Sequence, residues 1–291
     1  MERKTNVDAI GAVMLTSFAT LLAFNQVVIK VSGGGFGPVF MAGLRSVGAL
    51  LVILLWMRLR GISVFTAPSA RFGGILVGVL FGVEFMAIYT ALDMTTVSRA
   101  SIMLYTMPVW LALVGHFVLP GEQLTKRRSL GLVFAMAGVI MALLDRSAAQ
   151  VSLTGDLLGI FAAMCWAGIA LTVRLTPLSQ EKPEVQLLWQ LAISAPILML
   201  AAFYFGDMVR NIEPIHLWGM LFQILCIASF GFLWWFWLLS RYPASSVASF
   251  SFLSPVLAVF FGWLLLNETV TLGTWLALGL VAIGLVLINR K

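Results

Sequence analysis

Apolar residues fall into ten long runs, at 9–31, 37–57, 72–92, 97–118, 127–145, 156–175, 185–206, 214–239, 244–266 and 271–289. A bilayer core of about 30 Å is crossed by about 20 apolar residues at 1.5 Å per residue. Each run is therefore predicted to be a spanning helix. Strands of a membrane barrel would alternate apolar and polar residues over about ten positions. The gaps are short and carry Gly, Pro and charge, as at Gly33–Gly35 with Pro38, Pro120–Gly121 and Pro214. The first run follows the polar stretch Glu2–Asp8, as in a signal peptide. It is longer than the usual apolar region of one and no A-x-A site follows, so it is read as a membrane helix.

The runs repeat. Thr95–Thr125 has a second version in Tyr242–Thr271. Both open with small and hydroxyl residues, and their prolines, Pro108 and Pro255, lie 147 positions apart. Both end in an acidic residue with Thr three positions on, Glu122 with Thr125 and Glu268 with Thr271, and Gly138 matches Gly284 beyond them. A repeat half the chain long predicts two similar halves, 1–146 and 147–291, with five helices in each.

Composition agrees with a membrane location. The chain of 291 residues is 61% hydrophobic and 10% charged, with a mean hydropathy of +1.02, against about 25% charged residues in a soluble domain. The formal charge of +6 is an orientation signal rather than a nucleic-acid footprint. With the N-terminus in the cytoplasm, thirteen Lys and Arg fall on the inner side and four (Lys30, Arg99, Arg146 and Arg210) on the outer side. Both termini are then cytoplasmic. Five helices is an odd number, so the second half crosses upside down relative to the first. Such inverted repeats surround a midplane site in many secondary transporters.

Few ionisable residues lie inside the runs. Arg45 is midway along the second and Glu84 midway along the third, and His116 is near the end of the fourth. Such groups face a cavity or a partner. Glu84 suits a proton carrier, a ligand for a substrate amine or the partner of Arg45. Arg45 suits an ion pair with Glu84 or bonds to backbone carbonyls. Asn25 and Gln26, with Thr16, Ser17 and Thr20, form a polar cluster in the first run, suited to binding a substrate or to tying two helices together. Tyr105 and Phe252 are equivalent in the repeat and are expected on opposite walls of one cavity. Trp166 stands where the first run has Phe18, and Phe230, Trp234 and Trp237 fall on one stripe; packing and lipid contact account for such aromatics equally well. Cys165 and Cys226 read as small hydrophobes. The chain holds no HExxH, GxSxG, CxxC or Walker motif, so no enzyme activity, cofactor or metal is expected.

The paired stretches around Pro108 with Glu122 and Pro255 with Glu268 resemble the drug/metabolite transporter superfamily, in its branch with two tandem EamA-type repeats. The openings Phe18…Ile29-Lys30 and Trp166…Val173-Arg174 resemble it more weakly. Within the superfamily the chain is most similar to bacterial exporters of aromatic and other amino acids. The resemblance implies an all-α basket of ten helices around a central cavity, with the fifth and tenth helices to one side. It implies that Pro108 and Pro255 permit helix bending, and that Glu122 and Glu268 end the fourth helix of each half and cap the next turn.

The expected function is a secondary transporter that exports amino acids and other small amphipathic metabolites across the inner membrane by alternating access. Asn25, Gln26 and Glu84 would meet the ammonium and carboxylate, and Tyr105, Trp166 and Phe252 the side chain. The partners expected are a small-molecule substrate and the lipid bilayer, with no nucleic acid, in a monomer or weak homodimer. Two alternatives stand beside it: an exporter of cationic aromatic drugs, and a non-transporting intramembrane enzyme or assembly factor.

Overall fold

The computed structural model describes residues 8–119, 123–145, 147, 152–242 and 253–289. Their regular structure is helical, and one isolated bridge joins Phe36 to Val209. The helices are α1 (Ala9–Ser32), α2 (Pro38–Leu59), α3 (Arg71–Met94), α4 (Val97–Leu104), α5 (Met107–Val118), α6 (Lys126–Leu144), α7 (Leu153–Leu175), α8 (Pro183–Ala202), α9 (Pro214–Phe222), α10 (Phe230–Arg241), α11 (Leu253–Leu266) and α12 (Leu272–Asn289). A π-helical segment, Gln223–Ser229, joins α9 to α10. Eight helical segments of the described residues are long and apolar enough to cross a membrane, and α11 and α12 are shorter apolar helices. The chain is a multi-pass membrane protein. Of the predicted ninth run, 244–252 lies outside the described residues, as do Glu122 and Arg146.

Lipid offers no hydrogen bonds, so irregular backbone survives at depth only where the protein satisfies it. Two helix irregularities among the described residues meet that condition. Proline carries no N–H and clashes with the turn before it, and Pro108 lies just beyond the break between α4 and α5. There the Thr106 hydroxyl donates to Met103 O at 2.6 Å and Val109 N donates to Thr106 O at 2.8 Å. In the π segment the Ser229 hydroxyl donates to Ile224 O at 2.8 Å.

Glycines fix how closely the helices approach. A Cβ on Gly138 would lie 2.6 Å from Ala277 O, one on Gly131 2.7 Å from Gly284 O, and one on Gly284 2.5 Å from Ala135 N. Helices α6 and α12 therefore meet backbone to backbone. Gly279, on the same helix as Gly284, has nothing within 4 Å of its would-be Cβ. The glycine steps of the fifth and tenth runs thus join the two halves within one chain.

Polar side chains tie the halves together at the end of the bundle where α1, α3 and α6 finish. Arg99 on α4 grips Asp156 on α7 with two bonds, Nε to Oδ1 at 3.1 Å and Nη2 to Oδ2 at 2.6 Å, and its Nη1 donates to Asp145 O at 2.7 Å. Glu268, just past α11, accepts from Val97 N at 2.6 Å, Ser98 N at 3.0 Å and the Ser98 hydroxyl at 2.6 Å. This corrects the expectation that Glu268 caps its own next turn: its carboxylate reaches across to the N-terminus of α4, where free N–H groups and the helix dipole favour an anion. Asp93 pairs with Arg210 through bonds of 2.6 and 2.8 Å, and Lys30 donates to Thr95 O at 2.9 Å. The Thr271 hydroxyl donates to Asp145.

Two outcomes follow for stability. Overpacking costs about 1–3 kcal/mol, so Gly138→Leu and Gly284→Leu should each lower the melting midpoint, and Gly279→Leu should leave it unchanged; thermal unfolding in detergent reads all three. Hydrogen bonds from Ser147, then Thr271, hold the Asp145 carboxyl below the usual carboxylate range. A depressed folded-state pKa contributes stability above the unfolded value, about 3.9, that is lost as pH falls through the folded one. Asp145→Asn should therefore be less stable than wild type at neutral pH, and the gap should narrow below about pH 4.

Candidate functional site

The positions of Glu84 and Arg45 follow from their helices. On α3, Phe81, Phe85 and Tyr89 recur every four residues and so share one face. That face meets Arg45 of α2: the guanidinium lies 3.7 Å from the Phe85 ring centroid, and Nη1 donates to the Tyr89 hydroxyl at 3.3 Å. Glu84 precedes Phe85, so its side chain points about 100° away round the helix. It is buried, with Arg45 and Cys165 of α7 within electrostatic range. The ion pair contemplated between Arg45 and Glu84 is accordingly not made. The aromatic face of α3 occupies Arg45, and the ion pairs among the described residues join Arg99 to Asp156 and Arg210 to Asp93.

Tyr89 carries the contact further. Its hydroxyl donates to Gln223 Oε1 at 2.6 Å, and Gln223 Nε2 donates to the Ser32 hydroxyl at 3.2 Å. Gln223 opens the π segment, a kind of helix defect frequent at functional sites. A polar chain thus runs from α2 through α3 to the π segment and α1.

Other buried polar atoms stay unpartnered: Asn25 Oδ1, Gln26 Oε1, Arg45 Nε and Nη2, and Ser101 Oγ. Asn25 and Gln26 are both 6% exposed, so neither amide oxygen ties helices together. Tyr105 sits at the α4–α5 break, buried, with its ring edge-on to Trp166 at 6.0 Å between centroids. The structure brings these two predicted aromatics together. Their expected partner Phe252 lies outside the described residues. Pro108 is in the first turn of α5, and Pro255 is the third residue of α11.

The other aromatics of the first and eighth runs pack elsewhere. Phe18, the first-run counterpart of Trp166, stacks on Trp235 at 5.2 Å and meets the edge of Trp234 at 5.6 Å, away from the Tyr105–Trp166 pair. Phe230 and Trp237 are exposed while Trp234 packs on Phe18, so the proposed stripe is divided between packing and lipid. An open cleft of about 400 Å³ is lined by Thr16, Ser17, Thr20, Leu21, Phe24 and Phe261, where α1 faces α11. It takes in the three hydroxyl residues of the first run, and neither Glu84 nor Asn25 lines it.

The sequence reading missed the Arg99–Asp156 pair, Tyr89 and Gln223. Gln223 carried a signal, being a lone amide inside an apolar run. Arg99 and Asp156 carried little, because each lies near a run's start and reads as a charge in a loop.

The comparisons with known proteins fit this geometry. The model of the EamA-like transporter family matches residues 9–144 and again 153–290. An uncharacterized transporter, YoaV of Bacillus subtilis (strain 168), is 28% identical over 93% of this chain and 94% of its own length. The uncharacterized inner membrane transporter YedA of Escherichia coli (strain K12) is 24% identical over 90% of this chain and 85% of its own. A protein named "Probable amino-acid metabolite efflux pump", from the same strain, is 24% identical over 99% of this chain and 93% of its own. One solved crystal structure has the same fold, with a TM-score of 0.67, 19% identity and 94% of each chain covered. With both halves matched from end to end, the chain belongs to the EamA-like transporter family.

Proposed function

We propose that the protein exports amino acids and related small amphipathic metabolites across the inner membrane by alternating access. In this reading ten helices cross the membrane, the halves 1–146 and 147–291 have inverted topology, and both termini are cytoplasmic. The observation that carries it is Glu84, a buried carboxyl midway along an apolar helix that joins no ion pair among the described residues. A carboxyl at that depth is expensive to bury, and such residues mark substrate or ion pathways. The unpartnered oxygens of Asn25 and Gln26 add acceptors for an ammonium group, and Tyr105 with Trp166 adds an apolar wall. The amino-acid efflux named for one relative and the inner-membrane location named for another support the same reading. The buried cation of Arg45 within range of Glu84 disfavours a cationic drug as the main substrate.

The polar network at the α1, α3 and α6 ends is the outer gate in this reading. It joins the halves through Arg99–Asp156, Glu268 with the start of α4, and Asp93–Arg210.

Two experiments test the proposal. Protein in liposomes preloaded with unlabelled amino acids should accumulate labelled ones by counterflow, and Glu84→Gln should reduce that exchange at least tenfold; no exchange of any amino acid under any gradient would sink the proposal. For the gate, a cysteine at position 101 in an otherwise cysteine-free protein should react slowly with an impermeant maleimide added outside cells. Glu268→Gln or Asp156→Asn should speed that reaction several-fold, and unchanged labelling would remove the gate.

A further inference from the structure

One buried charge of this chain is left half used. Arg45 is 1% exposed, and a guanidinium does not lose its proton inside a protein. Its Nη1 donates to Tyr89 and its face lies on Phe85, yet Nε and Nη2 have no partner. These two nitrogens form one edge of the guanidinium, the edge that takes both oxygens of a carboxylate at once. The same molecule demonstrates the geometry. Arg99 uses its Nε and Nη2 on the two oxygens of Asp156, at 3.1 and 2.6 Å. On Arg45 the corresponding edge is buried and has no hydrogen-bond partner.

The protein does not supply the missing anion in this state. Among the described residues the other buried carboxylates are Asp156, taken by Arg99, and Glu84, which makes no contact with Arg45. The surroundings hold the edge in place. Tyr89 accepts from Arg45 while donating to Gln223 at 2.6 Å, so its hydroxyl is engaged on both sides and fixes the guanidinium plane. Leaving such an edge bare in a low-dielectric interior costs several kcal/mol.

We infer that the Nε–Nη2 edge of Arg45 is the subsite for the substrate's carboxylate. The inference rests on the exporter reading above and names its substrate class: zwitterions with a free carboxylate, in which Arg45 takes the acid and Glu84 on the neighbouring helix takes the ammonium. A buried guanidinium and a buried carboxyl that form no ion pair with each other suit a ligand that carries both signs. Arg45 is thereby a specificity-determining residue, since a site built to bond a group rejects analogues that lack it.

The test compares L-phenylalanine with L-phenylalaninamide and phenethylamine, which keep the ring and the amine but lose the carboxylate. In wild-type counterflow of labelled phenylalanine, the amide and the amine should compete at least about tenfold more weakly than the acid, as expected for a hydrogen bond to a charged group. Arg45→Gln should erase that preference. Arg45→Lys, which keeps a cation without the planar fork, should reduce it. Unliganded melting midpoints identify a variant that fails to fold. If the amide competes as well as the acid, or Arg45→Gln keeps the preference, the subsite is overturned and the exporter reading stands. If no amino acid exchanges, the exporter reading falls, and binding to purified protein decides the subsite. A rise in melting midpoint with phenylalanine but not its amide, lost in Arg45→Gln, upholds it; equal effects or none overturn it.

Discussion

A charge or an open backbone group inside a lipid-embedded bundle has no water to turn to, and the architecture follows from how each one is answered. Most are answered by helix formation itself, and so nearly every regular segment is an apolar helix. The α4–α5 break and the π segment are answered locally, by the Thr106 and Ser229 hydroxyls donating to nearby carbonyls. Charges at the helix ends are answered across the halves. Arg99 and Asp156 satisfy each other with two bonds, and Glu268 neutralises the start of a helix to which it does not belong.

The exceptions stand apart by that standard. Arg45, Asn25 and Gln26 are buried, as the Arg99–Asp156 pair is, but each keeps polar atoms without a hydrogen-bond partner. A structural role explains Arg99 and Asp156, because removing either would strand the other. It does not explain a guanidinium edge without an anion, or two amide oxygens without donors. Burial alone does not separate structural from functional polar groups in a membrane protein, whereas the count of unmet bonds does.

The hydrophobic pattern was enough to locate the helices, because run length and spanning length are set by the same bilayer thickness. The repeat agrees with the two matches of the family model, 9–144 and 153–290, and Pro108 marked the neighbourhood of the α4–α5 break. What stayed hidden depended on distance in space. Nothing in the spacing of Arg99 and Asp156 tells that one embraces the other, and Glu268 looks like the cap of its own helix until α4 is seen beside it. The site was partly legible: Glu84 and Arg45 stood out as charges in apolar runs, and their pairing was the natural guess. It fails because Phe81, Phe85 and Tyr89 occupy the α3 face toward Arg45 and turn Glu84 aside.

The same features divide the molecule into parts that hold and parts that give. Helices α6 and α12 touch through glycine backbones, and any separation or slip there forfeits close contact along the whole seam. The ties at the other contacts are of a different kind: a carboxylate on a helix start, an arginine on an aspartate, each remade as soon as an equivalent partner comes within reach. If the halves rock as proposed, the glycine seam is the axis and the polar ties are what open. The strain of opening then falls on α4, which Glu268 holds at one end and which breaks at Tyr105–Thr106 at the other. Tyr105 stands at that break with its ring against Trp166. In that proposal a movement of α4 at the gate would displace Tyr105, and so would couple release of the gate to the proposed aromatic wall through one helix of eight residues.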